Sequence, residues 1–315
     1  MSQTRWRIVF AEPFAEQAVS QMREIGDIRE LTRCDESYLM EAVADCDALL
    51  VRTASRVTRR VLEAAPRLRV IGRGGVGLDN VDLDAARERG VTVVYTPGTA
   101  TDAVADLTFG LMLSLVWDLR GCDAGVRDER FAAVRAAVRP RELSALTLGI
   151  VGLGRIGQAV ARRAAHGFGM RVLYNDLVDP GPLDFPATPV DKDRVFAESD
   201  IVSLHVPLTE ATRGLVREAA LARFKPGAFL INTSRGAVVD GHALDRALRS
   251  GRLGGAGLDV FDPEPLPADH PLLSAPNTVF TPHVGARTAL AQARINGVVE
   301  DVIRVLRGLA ALYPA

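Results

Sequence analysis

Two doubly wound α/β domains, each built on a parallel sheet, are what this sequence predicts, and three observations carry the prediction. Short apolar runs alternate with helical patterns over residues 1–99, the same alternation resumes at residue 146, and a glycine-rich turn joins strand to helix where the second series begins. With 315 residues, of which 48% are hydrophobic and 24% charged, the chain has enough apolar side chains for two cores.

In the first series the strand candidates are residues 8–10, 28–31, 48–51, 68–71 and 91–95, with helical patterns at 14–25, 37–44, 58–64 and 83–89. No G-x-G-x-x-G follows its first strand, so this part does not bind a dinucleotide by itself. The stretch R-G-G-V-G-L-D-N (73–80) follows a strand and is glycine-rich at Gly74, Gly75 and Gly77. Such a loop exposes backbone N–H groups to an anion, and on these residues alone it reads equally as a glycine turn with no ligand. T-P-G-T-A (96–100) reads as a hinge. A long helix from residue 101, with Val104, Leu107, Leu111 and Leu115 on one face, then connects the domains, and 121–141 is placed only as its continuation or as loop.

The second series opens with an apolar run at 146–151, followed by Gly152, Gly154 and Gly157 at G-x-G-x-x-G spacing and a helical pattern from Arg155. The first glycine permits the turn, the second lets a pyrophosphate approach the backbone, and the third lets helix and strand pack closely. The helix N-terminus then offers free N–H groups and a partial positive charge to the phosphates. A second strand, 171–175, ends in Asp176, where a carboxylate accepts hydrogen bonds from ribose hydroxyls. That acid would repel a 2′-phosphate, so NAD is expected rather than NADP. After a Pro- and Asp-rich loop at 177–189, strands are expected at 200–205, 228–233, 255–260 and 278–281, with helices at 218–223 and 242–249. A final helical region, 287–309, carries Leu290, Ala293, Val298, Val302 and Val305 and is expected to cross back to the first domain without a strand after it.

Composition narrows the partners. A net charge of -1 and a pI near 6.5 give no electrostatic reason to expect nucleic acid or an anionic membrane. Cys34, Cys46 and Cys122 are odd in number and contain no C-x-x-C pair, so neither a disulfide framework nor a metal site is signalled and a reducing cytoplasm is expected. The polar N-terminus does not read as a signal peptide, and the longest apolar stretch, 107–117, is well below the ~20 residues that span a bilayer.

Ligands of an open α/β sheet lie beyond the C-terminal ends of its strands, and three such ends carry groups suited to one reaction. Arg235, in N-T-S-R-G-A-V-V-D, offers a planar fork of donors to a carboxylate. Glu264, in D-V-F-D-P-E-P-L-P, and His283, in T-P-H-V-G-A, make a carboxylate–imidazole pair, and a neighbouring carboxylate favours the protonated ring. Carbonyl reduction needs such an acid as hydride arrives from NADH. His166, His242 and His270 are weaker candidates, and His205, ending a strand, is placed near the cofactor.

The blocks L-G-I-V-G-L-G-R-I-G, L-H-V-P-L-T, N-T-S-R-G-A-V-V-D, G-L-D-V-F-D-P-E-P-L-P and N-T-V-F-T-P-H-V-G-A, in that order, resemble the signatures of the D-isomer specific 2-hydroxyacid dehydrogenase family. R-G-G-V-G-L-D-N-V-D is similar to the substrate loop of the same family, so the resemblance covers essentially the whole chain. It implies a Rossmann NAD-binding domain (100–287) inserted into a flavodoxin-like substrate domain (1–99 and 288–315), and catalysis by Arg235, Glu264 and His283. It also implies Arg155 and Ile156 at the pyrophosphate, Asp259 near the nicotinamide carboxamide, the backbone of Gly75, Val76 and Gly77 at the substrate carboxylate, and a homodimer joined through the cofactor domain. Among subgroups the substrate loop looks closest to phosphoglycerate dehydrogenases, which leaves Arg52 and Arg73 for a second anionic group. The Arg235 block departs from the A-R-G-G more common there, the sequence through Ala315 holds no appended regulatory domain, and Asp106 stands where the family often has Glu and is read as structural. The implied function is NAD-linked hydride transfer between a small D-2-hydroxy acid and its 2-oxo acid, with 3-phosphoglycerate-like or other doubly anionic acids among the candidate substrates. A dinucleotide-sensing corepressor-like protein of the same family is the alternative.

Overall fold

The structure, a computed structural model, describes residues 5–315. It divides into two compact units, one running to Ala100 and completed by Arg287–Ala315, the other Thr101–Ala286.

The first unit alternates β1 (Trp6–Phe10), α1 (Glu16–Arg23), β2 (Gly26–Glu30), α2 (Glu36–Val43), β3 (Ala48–Val51), α3 (Arg59–Glu63), β4 (Val70–Arg73), α4 (Leu83–Glu88) and β5 (Thr92–Tyr95). Its strands pair in parallel in the order β2-β1-β3-β4-β5, the expected flavodoxin-like order. Every residue of β3 and β4 is buried, as in a sheet covered on both faces. Alternate side chains serve opposite cores: Leu49, Val51 and Ile71 pack with α2 to α4, whereas Ala48, Leu50 and Val70 pack on the other face.

The second unit begins with α5 (Thr101–Val116), α6 (Leu119–Arg127) and α7 (Phe131–Ala137), so the stretch before the nucleotide strand is mostly helical. There follow β6 (Thr147–Val151), α8 (Arg155–Arg162), β7 (Arg171–Asn175), β8 (Thr188–Pro189), α9 (Lys192–Glu198), β9 (Ile201–Leu204), α10 (Glu218–Leu221), β10 (Ala228–Asn232), α11 (Gly241–Arg249), β11 (Leu253–Leu258) and β12 (Thr278–Phe280). All seven strands are parallel, in the order β12-β11-β10-β9-β6-β7-β8. The order reverses between β6 and β9, which opens the crevice at the end of the glycine turn.

Strand β11 starts two residues earlier than its apolar pattern indicates, because its glycines are used for packing rather than for a turn. A Cβ on Gly257 would lie 2.9 Å from the Cβ of Leu111, so α5 approaches this strand closely. Asp106 is structural: with Asp102 it receives the guanidinium of Arg163, at 3.1 and 3.0 Å, tying α5 to the end of α8.

The chain returns to the first unit through α12 (Ala289–Asn296) and α13 (Val298–Leu306), whose Val298, Val299, Val302 and Leu306 join Phe10, Leu50 and Val70 in one core. As expected, no strand follows them among the described residues, and the last residues make only an isolated bridge. The terminal segment runs antiparallel along β5 through a Val94–Pro314 bridge, and the buried Asp301 carboxylate accepts the N–H groups of Leu312 and Tyr313. Among the described residues no helix is long and apolar enough to cross a membrane.

Close helix–sheet approach gives a paired prediction. Ala at Gly72 would set a Cβ 2.5 Å from Cγ2 of Val302, whereas nothing lies within 4 Å of a Cβ at Gly110 on α5. Gly72→Ala should cost about 1–3 kcal/mol in urea unfolding and Gly110→Ala should gain about 0.5–1 kcal/mol.

Candidate active site

The sheet ends of the second unit position the side chains expected from sequence. Asp259, immediately after β11 and only 2% exposed, anchors the loop after β12. Its Oδ1 accepts from Thr281 Oγ1 at 2.6 Å and from Val284 N at 2.8 Å, its Oδ2 accepts from Gly285 N at 2.9 Å, and its carbonyl accepts from His283 N at 2.8 Å. These bonds hold His283 at φ 53°, a left-handed conformation that costs a non-glycine residue of order 1–2 kcal/mol and persists only where its surroundings enforce it.

So held, the His283 ring places Nδ1 2.9 Å from Glu264 Oε2, while Glu264 Oε1 accepts from Phe261 N at 2.9 Å. An ionised carboxylate only accepts, so Nδ1 carries the hydrogen and Nε2 is the ring nitrogen left available for proton exchange. Burial works to raise the Glu264 pKa, but the bonds from His283 and Phe261 and the charges of His283 and Arg235 outweigh it and hold the carboxyl below its ordinary value. Phe261, Leu266, Leu273 and Phe280 wall the pocket that takes in both side chains.

Arg235 arrives from the neighbouring strand end. Asn232, the last residue of β10 and 1% exposed, shapes the turn: its Oδ1 accepts from Ser234 N and Oγ at 3.0 and 2.7 Å, and its Nδ2 donates to Arg235 O at 2.9 Å. The guanidinium donates from Nη1 to Ser234 O at 2.8 Å. The next residue must be glycine, since a Cβ on Gly236 would lie 1.9 Å from the backbone C and O of Phe261. Backbone contact thus sets the Arg235 turn against the Phe261–Glu264 turn, and the three residues expected from sequence are brought to one place.

The glycine turn fits a dinucleotide. Gly152 has φ 92° and a Cβ there would meet His205 O at 2.6 Å, and a Cβ on Gly157 would meet Gly152 O at 2.1 Å. Gly154 faces open space with nothing within 4 Å, the cradle that a side chain would fill and a pyrophosphate needs. Arg155 and Ile156 open α8 beside it. Asp176, at the end of β7, accepts from Leu153 N and Val178 N and keeps acceptor capacity for ribose hydroxyls. His205 follows β9 with its Nε2 2.8 Å from Ser203 Oγ. Desolvation pushes its pKa down to about 3, so it is a neutral wall of the crevice. The remaining histidines are structural: His166 bonds Asp184 O at 3.1 Å, and the rings of His242 and His270 pack together, tilted by 37°, with centroids 4.7 Å apart. Among the described residues no cluster is suited to a metal ion.

In the first unit the glycine loop differs from expectation at two positions. Gly75 does not offer its N–H to a ligand, because that group donates to Thr96 Oγ1 at 2.9 Å and its carbonyl is bonded by Thr96 as well. Arg73 is 4% exposed and turns back onto Gly74 O at 3.0 Å, bracing the loop rather than facing a ligand. Gly75, at φ 142°, has no room for a Cβ beside that guanidinium. Val76 and Gly77 continue the loop, and Arg52, half-buried after β3, is a cation at this edge.

Residues 109–285 match the family model described as D-isomer specific 2-hydroxyacid dehydrogenase, NAD binding domain. The chain belongs to the D-isomer specific 2-hydroxyacid dehydrogenase family. It is 38% identical over 307 residues to the hydroxypyruvate reductase of Thermotoga maritima, covering 96% of this chain and 99% of that protein. It is also 38% identical over 306 residues to the D-3-phosphoglycerate dehydrogenase of Methanocaldococcus jannaschii, 96% of this chain but 58% of that longer protein. The crystal structure of a D-lactate dehydrogenase from Aquifex aeolicus, complexed with NAD and lactic acid, superposes with a TM-score of 0.87 at 31% identity over 96% of each chain. This member of the family is accordingly an NAD-linked oxidoreductase whose two parallel sheets are those of its relatives.

Two predictions follow from this geometry. Gly236→Ala should separate the Arg235 and Glu264 turns and lower kcat at least about tenfold, with the far-ultraviolet circular dichroism unchanged. His205 binds its proton only near pH 3 when folded but near 6.5 when unfolded, so the unfolded state holds more protons between those values and the stability present above pH 6.5 is lost on acidification. His205→Gln should flatten that loss, seen in urea midpoints from pH 7 to pH 4, by up to about 1.4 kcal/mol per pH unit.

Proposed function

We propose that the protein interconverts a small D-2-hydroxy acid and its 2-oxo acid with NAD, using Arg235, Glu264 and His283. The observation that carries this reading is the 2.9 Å contact between His283 Nδ1 and Glu264 Oε2, which supports Nε2 as the reactive nitrogen. Arg235 binds the substrate carboxylate through its planar fork and orients the neighbouring carbonyl. His283 gives a proton from Nε2 to the carbonyl oxygen in reduction and takes it back in oxidation, while Glu264 stabilises the charged ring. The bound nicotinamide supplies or accepts the hydride. Gly152, Gly154, Arg155, Ile156 and Gly157 hold the pyrophosphate, Asp176 the ribose and selectivity against NADP, and Asp259 the carboxamide as well as the His283 loop.

The first unit contributes substrate binding. The N–H groups of Val76 and Gly77 are offered to a carboxylate, and Arg52 to a second anionic group. The names of the relatives point to hydroxypyruvate and its 3-phosphate as substrates to try first. Leu119, Val126 and Phe131, 50%, 55% and 59% exposed on α6 and α7, support a homodimer joined through the cofactor unit. Three free cysteines support a reducing, cytoplasmic location.

The test is loss of NADH absorbance with glyoxylate, pyruvate, hydroxypyruvate, its 3-phosphate and 2-oxoglutarate, with NADPH in parallel. Turnover with NADH on at least one acid is expected, and His283→Ala should lose it about a thousandfold or more while still binding NADH. Silence of the wild-type protein on the whole panel with NADH bound would overturn the dehydrogenase reading.

A further inference from the structure

Arg52 is held as a charged group without being neutralised. Its guanidinium donates from Nη2 to Gln292 Oε1 at 2.7 Å and approaches Pro13 O at 3.5 Å, and its Cζ lies 5.7 Å from the centroid of the Phe14 ring. All three partners are formally neutral. Glu12, the acid whose field reaches it, directs its carboxylate to the backbone N–H groups of Arg52, Ala54 and Ser55 at 2.8–3.1 Å. Among the described residues no carboxylate lies within ion-pair distance of the guanidinium. Burial disfavours its charge, the field of Glu12 favours it, and the nearby Arg287 adds a second positive charge.

Gln292 is itself fixed. It lies on α12 one turn before Asn296, whose Nδ2 donates to Gln292 O at 2.8 Å and whose Oδ1 accepts from Ala15 N at 3.2 Å. Asn296 thereby sutures the helix to the loop that carries Pro13 and Phe14, and the Gln292 amide meets Arg52 from a pinned helix. A neutral amide at this point aims the guanidinium and leaves its full charge for an incoming anion. A carboxylate of nearly the same size would satisfy the arginine and repel that anion.

We propose that Gln292 is a positioning residue that sets specificity for doubly anionic substrates, by holding Arg52 aimed and unneutralised for the second anionic group. The inference rests on the reading that Arg52 belongs to the substrate site of a 2-oxo acid reductase. It adds that the ability to take a second anion is encoded on α12, outside the glycine loop and outside the catalytic residues.

The test compares hydroxypyruvate with hydroxypyruvate 3-phosphate, two substrates that differ only in the second anion, in the wild-type protein and in Gln292→Glu and Gln292→Met. Gln292→Glu should lower kcat/KM for the phosphate ester by about ten- to a hundredfold through KM, while that for hydroxypyruvate changes less than about twofold. Gln292→Met, which keeps the bulk but loses the acceptor, should fall between them because Arg52 keeps its charge but loses its aim. Equal losses on both substrates in Gln292→Glu would show a merely structural role and overturn the proposal, as would no loss on either. If the wild-type protein reduces neither acid, the parent reading fails separately. The proposal is then decided by calorimetric titration of inorganic phosphate, whose binding should weaken at least about tenfold in Gln292→Glu and would contradict the proposal if unchanged.

Discussion

The carboxylate of Asp259 holds the loop that carries His283, on which the proposed chemistry depends. Three donors from residues 281–285 converge on its two oxygens, and its own carbonyl takes the His283 N–H. Without that convergence a histidine would not be kept in the left-handed region, and the imidazole would not reach Glu264 from the end of a neighbouring strand. A buried carboxylate is costly unless its lone pairs are filled, and here the groups that fill them are the ones to be positioned. Burial and positioning are one interaction seen from two sides.

Parallel sheets make such a device economical. Strand ends in β10, β11 and β12 are spaced by the ladder itself, so the turns that leave them arrive side by side with little freedom left to remove. Asn232 shapes one turn, Asp259 anchors another, and the absent side chain at Gly236 lets the first touch the Phe261–Glu264 segment. The first unit uses the same principle with a different emphasis: Thr96 closes Gly75 and Arg73 props the loop from beneath, which leaves the later N–H groups and Arg52 at the edge.

Much of this was legible in the sequence because local physics dictates it. The glycine spacing after an apolar run, the acid at the end of the next strand and the turns carrying Arg235, Glu264 and His283 are all short-range signals. The parallel pairing in both sheets followed from the βα alternation. What the sequence hid depends on contacts distant in the chain. Asp259 acts on residues 22 to 26 positions away, Gly236 is constrained by Phe261, and Gly75 looked like an open anion loop because its partner Thr96 lies beyond the next helix and strand. Short elements were lost for another reason. Helix α9 carries only Val195 and Phe196 as buried apolar residues, and β8 is a two-residue edge strand ending in proline, so neither has a period to read.

The central claim is that Glu264 and His283 work as a unit, one carboxylate fixing the ring that moves the proton. A double-mutant cycle on kcat with Glu264→Gln, His283→Gln and the double variant tests it most directly, with NADH binding measured for each protein to confirm an intact cofactor site. Acting as a unit, the pair should be strongly non-additive, the double variant falling within about a few-fold of His283→Gln alone. Additive losses, with the double variant slower than either single variant by the product of their effects, would mean that the two residues act independently and would contradict the account.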